Sequence, residues 1–188
     1  APGVDVAVAQ PRDVTLWDGF TGRMAAPETV ELRARVSGYI DKVAFAEGEL
    51  VKQGDVLFVI DQRPYQARLQ MARAEVARAR SQVTLAAREA QRDEQLWERR
   101  AISREELEQR SAARSIAQAA LASAAAALDN AELELAYTEV KAPVSGRMGR
   151  AEITRGNLVT ADTSLLATLV SVDPLYVYFE SDQQTVED

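Results

Sequence analysis

The sequence predicts an α+β fold: a small β-sandwich assembled from two separated stretches of chain, with a long antiparallel α-helical coiled-coil hairpin inserted between them. Three observations predict it. First, apolar and alanine positions recur with unbroken 4-3 spacing at Tyr65, Leu69, Ala72, Val76, Ala79, Val83, Ala86 and Ala90, and again at Ala117, Leu121, Ala124, Leu128, Ala131 and Leu135. That spacing is a coiled-coil seam rather than the face of a globular helix. Second, the segments flanking this stretch repeat one another at a constant offset of 108 residues. Third, β-rich segments at both ends have no complete set of partners, which predicts a piece of a larger protein with a second β domain.

In chain order, residues 1–25 read as two strands. Val4, Val6 and Val8 alternate, Pro11 breaks the run, and Val14, Leu16 and Asp18–Phe20 resume it. Residues 26–62 form the first half of the sandwich. Val30, Leu32, Ala34 and Val36 point one way, with Glu31, Arg33 and Arg35 on the other. A glycine-punctuated stretch through Gly38, Gly48 and Gly54 then reads as short strands joined by tight turns, with each glycine free to adopt positive φ.

Residues 63–138 are the hairpin. Pro64 suits a first helical turn, and Arg63 before it is expected outside helical geometry. Each arm reaches roughly 50 Å at about 1.5 Å per residue. Ser103, followed by Glu106 at the third helical position, predicts a capping box; Ile102 and Leu107 are spaced for the matching hydrophobic staple. The chain therefore reverses within Arg99–Ser103. Alanine-rich seams let two backbones approach closely but bury little area per layer, so the hairpin should be thin and stiff.

Residues 139–172 are the second half. Ala142-Pro143-Val144-Ser145-Gly146 echoes Ala34-Arg35-Val36-Ser37-Gly38, Gly156-Asn157-Leu158-Val159 echoes Gly48-Glu49-Leu50-Val51, and Leu165 falls where Leu57 did. Each half alone has too little apolar surface to be stable. Together they should bury Val36, Ile40, Val56, Phe58, Ile60, Val140, Val144, Met148, Leu158 and Leu166. Residues 173–188 open with an Asp173-Pro174 turn and a strand over Leu175–Phe179.

Composition removes whole classes of function. With neither cysteine nor histidine among 188 residues, thiol or imidazole nucleophiles, zinc sites and redox pairs have no ligands. A net charge of −7 argues against nucleic-acid binding. The arginines of the first helix interleave with glutamates, as on a solvated mixed-charge face. Ala1–Gln10 has neither the basic start nor the apolar core of a signal peptide, and no apolar run reaches the roughly 18 residues of a membrane span.

Phe20-Thr21-Gly22-Arg23 through Arg63-Pro64-Tyr65-Gln66-Ala67, Tyr137-Thr138-Glu139-Val140-Lys141-Ala142-Pro143, and Val172-Asp173-Pro174-Leu175-Tyr176-Val177 resemble the periplasmic adaptors, or membrane fusion proteins, of tripartite resistance-nodulation-division (RND) efflux pumps. The resemblance is nearest the MexE-type adaptors and covers nearly the whole chain. It implies that the sandwich is the family's lipoyl-like domain, that residues 1–25 belong to a β-barrel or membrane-proximal region, and that 173–188 begin a truncated β-barrel. Arg92, Leu96 and Ser103 match the family's motif for docking an outer-membrane channel: arginine, leucine four residues on, serine seven further. The resemblance thus implies a TolC-like channel at the hairpin tip, an inner-membrane RND transporter at the other end, and a ring of copies, six in the assembled pump. It implies a periplasmic protein, tethered to the inner membrane by a lipidated N-terminus outside this chain, with no catalytic residue and no cofactor.

Plainer readings exist for each feature. Ser103 is explained as an N-cap, worth about 1 kcal/mol; Leu96 and Trp97 could close the hairpin end; Arg92 could pair with nearby acids. Glu105-Glu106 and Glu132/Glu134 are paired carboxylates, but on exposed helix with no pocket implied. A biotinyl or lipoyl carrier needs one exposed lysine at the junction of the halves, which the hairpin replaces; Lys42, Lys52 and Lys141 lack the setting. An adaptor of a type I secretion or ABC-type efflux system shares the architecture. A metal-efflux role is disfavoured by scattered methionines and absent histidine.

Overall fold

The computed structural model describes residues 28–171 in full, with Gly3 and the strand backbones at 22–25 and 176–179. The elements run β1 (Gly22–Ala25), β2 (Thr29–Arg33), β3 (Gly38–Val43), β4 (Leu50–Val51), β5 (Val56–Ile60), α1 (Arg63–Glu98), α2 (Arg104–Tyr137), β6 (Glu139–Lys141), β7 (Gly146–Met148), β8 (Leu158–Val159), β9 (Leu165–Val170) and β10 (Tyr176–Phe179). Two four-stranded sheets, ordered β2-β9-β7-β4 and β6-β5-β3-β8, interleave strands from both sides of the hairpin. One apolar interior results, with Leu32, Ala34, Ile40, Phe58 and Ile60 from the first half and Ala142, Met148, Val159, Leu166 and Leu169 from the second. Neither half could bury these residues alone.

The 108-residue repeat is the symmetry of this interior. Gly48 N–H donates to the Met148 carbonyl at 2.9 Å, and Gly156 N–H to the Ile40 carbonyl at 2.8 Å. Gly54 N–H donates to Ala142 and Asp162 N–H to Ala34, at 2.8 and 2.7 Å. The serine of each Val-Ser-Gly triplet caps a turn of the opposite half: Gln53 N–H donates to Ser145 Oγ and Ala161 N–H to Ser37 Oγ, both at 2.9 Å. Each copy is therefore completed by the other, and the repeat is a record of reciprocal bonding.

Three expectations about the sandwich are corrected. Leu158 is not core: it is 60% exposed, and its counterpart Leu50 is 59% exposed, because in these two-residue strands the inward position falls to Val51 and Val159. Val56, Val140 and Val144 are half-buried rather than interior. Leu165 is not the partner of Leu57, since the second turn holds one extra residue. Lys52 N–H meets the Asp55 carboxylate three residues on, whereas Thr160 N–H meets the Ser164 hydroxyl four on. Leu166, fully buried, therefore takes the place of Leu57. The glycines also divide by task. Gly48, Gly54 and Gly156 adopt positive φ, and Asp162 does so at 60° where Gly54 stood. Gly146 instead admits a close approach, for an added Cβ would strike the Val170 carbonyl.

The hairpin leaves and rejoins the sandwich at one point. Ile60 N–H donates to the Thr138 carbonyl at 2.8 Å, and Gln62 Nε2 to Thr138 Oγ1 at 3.0 Å. Tyr65 is buried in the sandwich interior and its hydroxyl donates to the Ser37 carbonyl at 2.6 Å. Arg63 is helical, contrary to the rule for residues before proline. The Asp61 carboxylate accepts both the Arg63 N–H at 3.1 Å and its guanidinium at 2.9 Å, which holds the residue in the first turn. Beyond Tyr65, Leu135 and Tyr137 the helices have their own apolar cluster of Val76, Ala79 and Ala124.

The strands expected over Val4–Val8 and Val14–Phe20 lie outside the described residues. The C-terminal strand does find a partner: β1 and β10 pair antiparallel, Gly22 opposite Phe179 and Ala25 opposite Tyr176. They form a separate two-stranded sheet.

Candidate docking tip

Every residue assigned to the seam is buried or half-buried, from Tyr65 to Ala90 on α1 and from Ala117 to Leu135 on α2. Ion pairs cross above it. Arg68 reaches Glu134 at 3.4 Å and Arg73 reaches Glu132 at 3.9 Å, so this carboxylate pair serves as rungs between helices.

At the far end of the hairpin, α1 closes at Glu98 and α2 opens at Arg104. Arg100 takes a left-handed φ of 58°, and Ala101 N–H donates to the Leu96 carbonyl at 2.8 Å, so the last turn ends by backbone bonding alone. Ser103 is extended, at φ −77° and ψ 159°, and its Oγ accepts the Glu106 N–H at 3.1 Å. Only this half of the capping box forms among the described residues. The Ser103 hydroxyl keeps its own proton free to donate. Ile102 and Leu107 are half-buried, as a staple requires.

Arg92 and Leu96 are four residues apart and share one face of α1. Arg92 is exposed and, among the described residues, its side chain has neither a hydrogen-bond nor an ion-pair partner, a state it shares with Arg80, Arg88, Arg99, Arg100 and Arg114. Leu96 is half-buried. Trp97, beside it in the last turn of α1, leaves 41% of its surface in solvent. A free guanidinium, a partly open leucine and a serine hydroxyl thus sit within the last turns of α1 and the cap of α2. Such a surface can donate to carbonyl or carboxylate oxygens and seat an apolar contact beside them.

The seam also extends further than its apolar pattern suggests. Counting on by three from Ala90 reaches Asp93, and counting back from Ala117 by three and four reaches Arg114 and Arg110. Arg110 Nε lies 3.2 Å from Asp93 Oδ2, and its guanidinium lies 3.5 Å from Glu89. Continuing the spacing regardless of hydrophobicity would have found this layer.

The opposite end carries an open cleft of about 550 Å³ between the edge strands β2 and β6, with Arg35 stacked 5.0 Å over Tyr137. Its rim alternates acids and bases, Glu31 with Arg33 and Glu139 with Lys141. That is the pattern of guarded sheet edges.

Residues 28–171 match the family described as the RND MFP, barrel-sandwich hybrid domain. The chain belongs to the RND membrane fusion proteins. The family is one of non-catalytic adaptors. Among curated relatives, the chain is 40% identical over 189 residues to the efflux pump periplasmic linker BepD of Brucella suis, covering 99% of this chain and 48% of that protein. It is 35% identical over 177 residues to the multidrug efflux pump subunit AcrA of Escherichia coli, covering 94% of this chain and 45% of that one. The chain thus spans about half the length of these relatives. A solved MacA–MexA chimera carrying the Pseudomonas aeruginosa MexA α-hairpin superposes with a TM-score of 0.62 at 26% identity, over 87% of this chain and 55% of that one. The fold alone is shared with the membrane fusion protein Spr0693 of Streptococcus pneumoniae, at a TM-score of 0.64 and 20% identity over 83% and 67% of the two chains. These relatives establish RND membrane fusion proteins as the family without singling out the MexE-type adaptors within it.

Proposed function

We propose that this chain is the hairpin-bearing part of a periplasmic adaptor that links an inner-membrane RND transporter to an outer-membrane TolC-like channel, and that Arg92, Leu96 and Ser103 make the channel contact. The observation that carries this reading is that Arg92, exposed and without a side-chain partner, shares a face of α1 with Leu96 four residues on, within reach of the turn capped by Ser103. The named relatives, a periplasmic linker and a pump subunit, support it.

On this reading the sandwich of residues 26–62 and 139–172 is the lipoyl-like domain and acts as a rigid root, the hairpin of 63–138 supplies reach, and the flanking segments 1–25 and 173–188 lead into a β-barrel toward the pump. Several copies stand side by side in the periplasm, six in the assembled ring, anchored through a lipidated N-terminus. Exposed small residues along α2, among them Ala119, Ala120, Ala126 and Ala127, suit close lateral packing of thin hairpins.

The test is made in intact cells. A cysteine at Gln91, unique in this chain, should crosslink to the outer-membrane channel. Arg92→Ala and Leu96→Asp should each abolish drug resistance while leaving protein level and helicity unchanged. Normal pumping by both variants would overturn the assignment.

A further inference from the structure

The charged layer beneath the tip is hard to account for as a source of stability. Asp93 occupies a seam position, its side chain is only 15% exposed, and its Oδ2 is sealed from solvent without an aligned hydrogen bond. Arg110 stands close by at 3.2 Å, but as a point charge rather than a directed donor. The Arg110 side chain is 47% exposed, so solvent screens the pair and its attraction adds little to stability. Replacing such a weakly contributing pair by apolar residues of similar volume should therefore cost little stability, and at the sealed Asp93 position it removes a desolvated carboxylate. What one polar layer does give a coiled coil is a unique register.

The rest of the seam explains the need. Between the large seam residues Val83 and Leu121 and the charged layer, the seam positions are Ala86, Ala90 and Ala117, and such small side chains leave shallow knobs and holes. The short turn forbids a slip of a whole heptad, yet smooth layers do little to stop one helix end rotating or sliding by a fraction of a turn. Arg92 immediately precedes Asp93, and Leu96 lies one turn beyond it. Any rotation at Asp93 is carried directly into the direction these two side chains face.

We propose that Asp93, Arg110 and Glu89 form a register lock, a set of positioning residues that holds the end of the hairpin in one geometry. Its consequence for docking rests on the function proposed above; the lock itself does not.

The chain lacks cysteine, so nitroxide labels at Gln95→Cys and Gln109→Cys report the tip alone. In the otherwise unaltered chain, pulsed dipolar spectroscopy should give a single narrow distance. Asp93→Leu with Arg110→Leu should broaden or split it while the melting temperature stays equal or rises. The exchanged pair, Asp93→Arg with Arg110→Asp, should narrow it again. In cells, the apolar double variant should lower crosslinking from the Gln91 cysteine several-fold, and the exchanged pair should restore it. An apolar variant with a distribution as narrow as the parent would overturn the lock. So would a fall in melting temperature, which would make the pair a strut. Should Arg92 and Leu96 prove dispensable while the broadening is observed, the docking reading fails and the lock stands.

Discussion

The sandwich and the hairpin bury apolar surface in opposite ways. The sandwich gathers Phe58, Ile60, Leu166 and Leu169, all fully buried, into one interior fed by strands more than 100 residues apart in sequence. The hairpin spreads its burial along a line, where Val76, Ala79 and Ala124 make a small cluster with half-buried Leu121 and Leu128 against it. In the first, removing any part withdraws support from all of it. In the second, each layer answers mainly to its neighbours, as in quasi-one-dimensional repeat structures. The difference teaches that one chain can hold a globally cooperative root and a locally governed arm, joined through Tyr65, Gln62 and Thr138. Substitutions should sort accordingly.

The largest effect should come from the root. Phe58 packs edge-on against Phe45 at a centroid distance of 5.2 Å in the centre of the interior. Phe58→Ala should cost about 3–5 kcal/mol and unfold both halves of the sandwich together, read as a single shifted transition in denaturant titration. Next comes the seam. Leu128→Asp places a carboxylate in a half-buried layer and should cost about 2 kcal/mol. The loss should be confined to the arm. Hydrogen exchange should quicken along α1 and α2 while the amides of β5 and β9 remain protected. Equal loss of protection in both regions would erase the distinction between root and arm.

Smaller still is the cap. Ser103→Ala removes the acceptor for the Glu106 N–H and should cost about 1 kcal/mol, as fraying of the first turn of α2. Ser103→Asn caps equally well but alters the hydroxyl offered at the tip. If the asparagine variant keeps helicity and loses resistance, capping and docking are separable; if both variants retain resistance, Ser103 is a cap alone.

How far these regions were legible in sequence follows from the same contrast. The repeat could be read because both copies perform one task on each other, so Ser37 and Ser145 are kept for the same bond. The offset then slips by one residue at Thr163, where a turn absorbs an insertion that no spacing rule reveals. Leu158 was misjudged because hydrophobicity does not say which face of a two-residue strand is inward. The apolar seam could be read in full, since period and composition agree. Its charged extension could not, because Asp93 and Arg110 keep the period while breaking the composition. The tip residues were legible as a pattern, and the geometry adds that Arg92 is exposed and Leu96 half-buried on one face of α1.

The smallest effect tests the joint between the two regions. Asp61 accepts from the Arg63 side chain and backbone, and chiefly through these bonds its pKa is lowered from 3.8 to about 2. A carboxylate depressed in the folded state binds fewer protons folded than unfolded in that interval. Its stabilisation is therefore fully present above about pH 4 and is lost as pH falls through about 2. Asp61→Asn should melt below the parent at neutral pH, the gap should narrow as pH drops below 4, and it should vanish near 2. Because the pair sits at the surface, salt should shrink the gap as well. If the gap is independent of both pH and salt, the start of α1 is held by Tyr65 and Gln62 alone, and the arm's root is a packing joint with no electrostatic part.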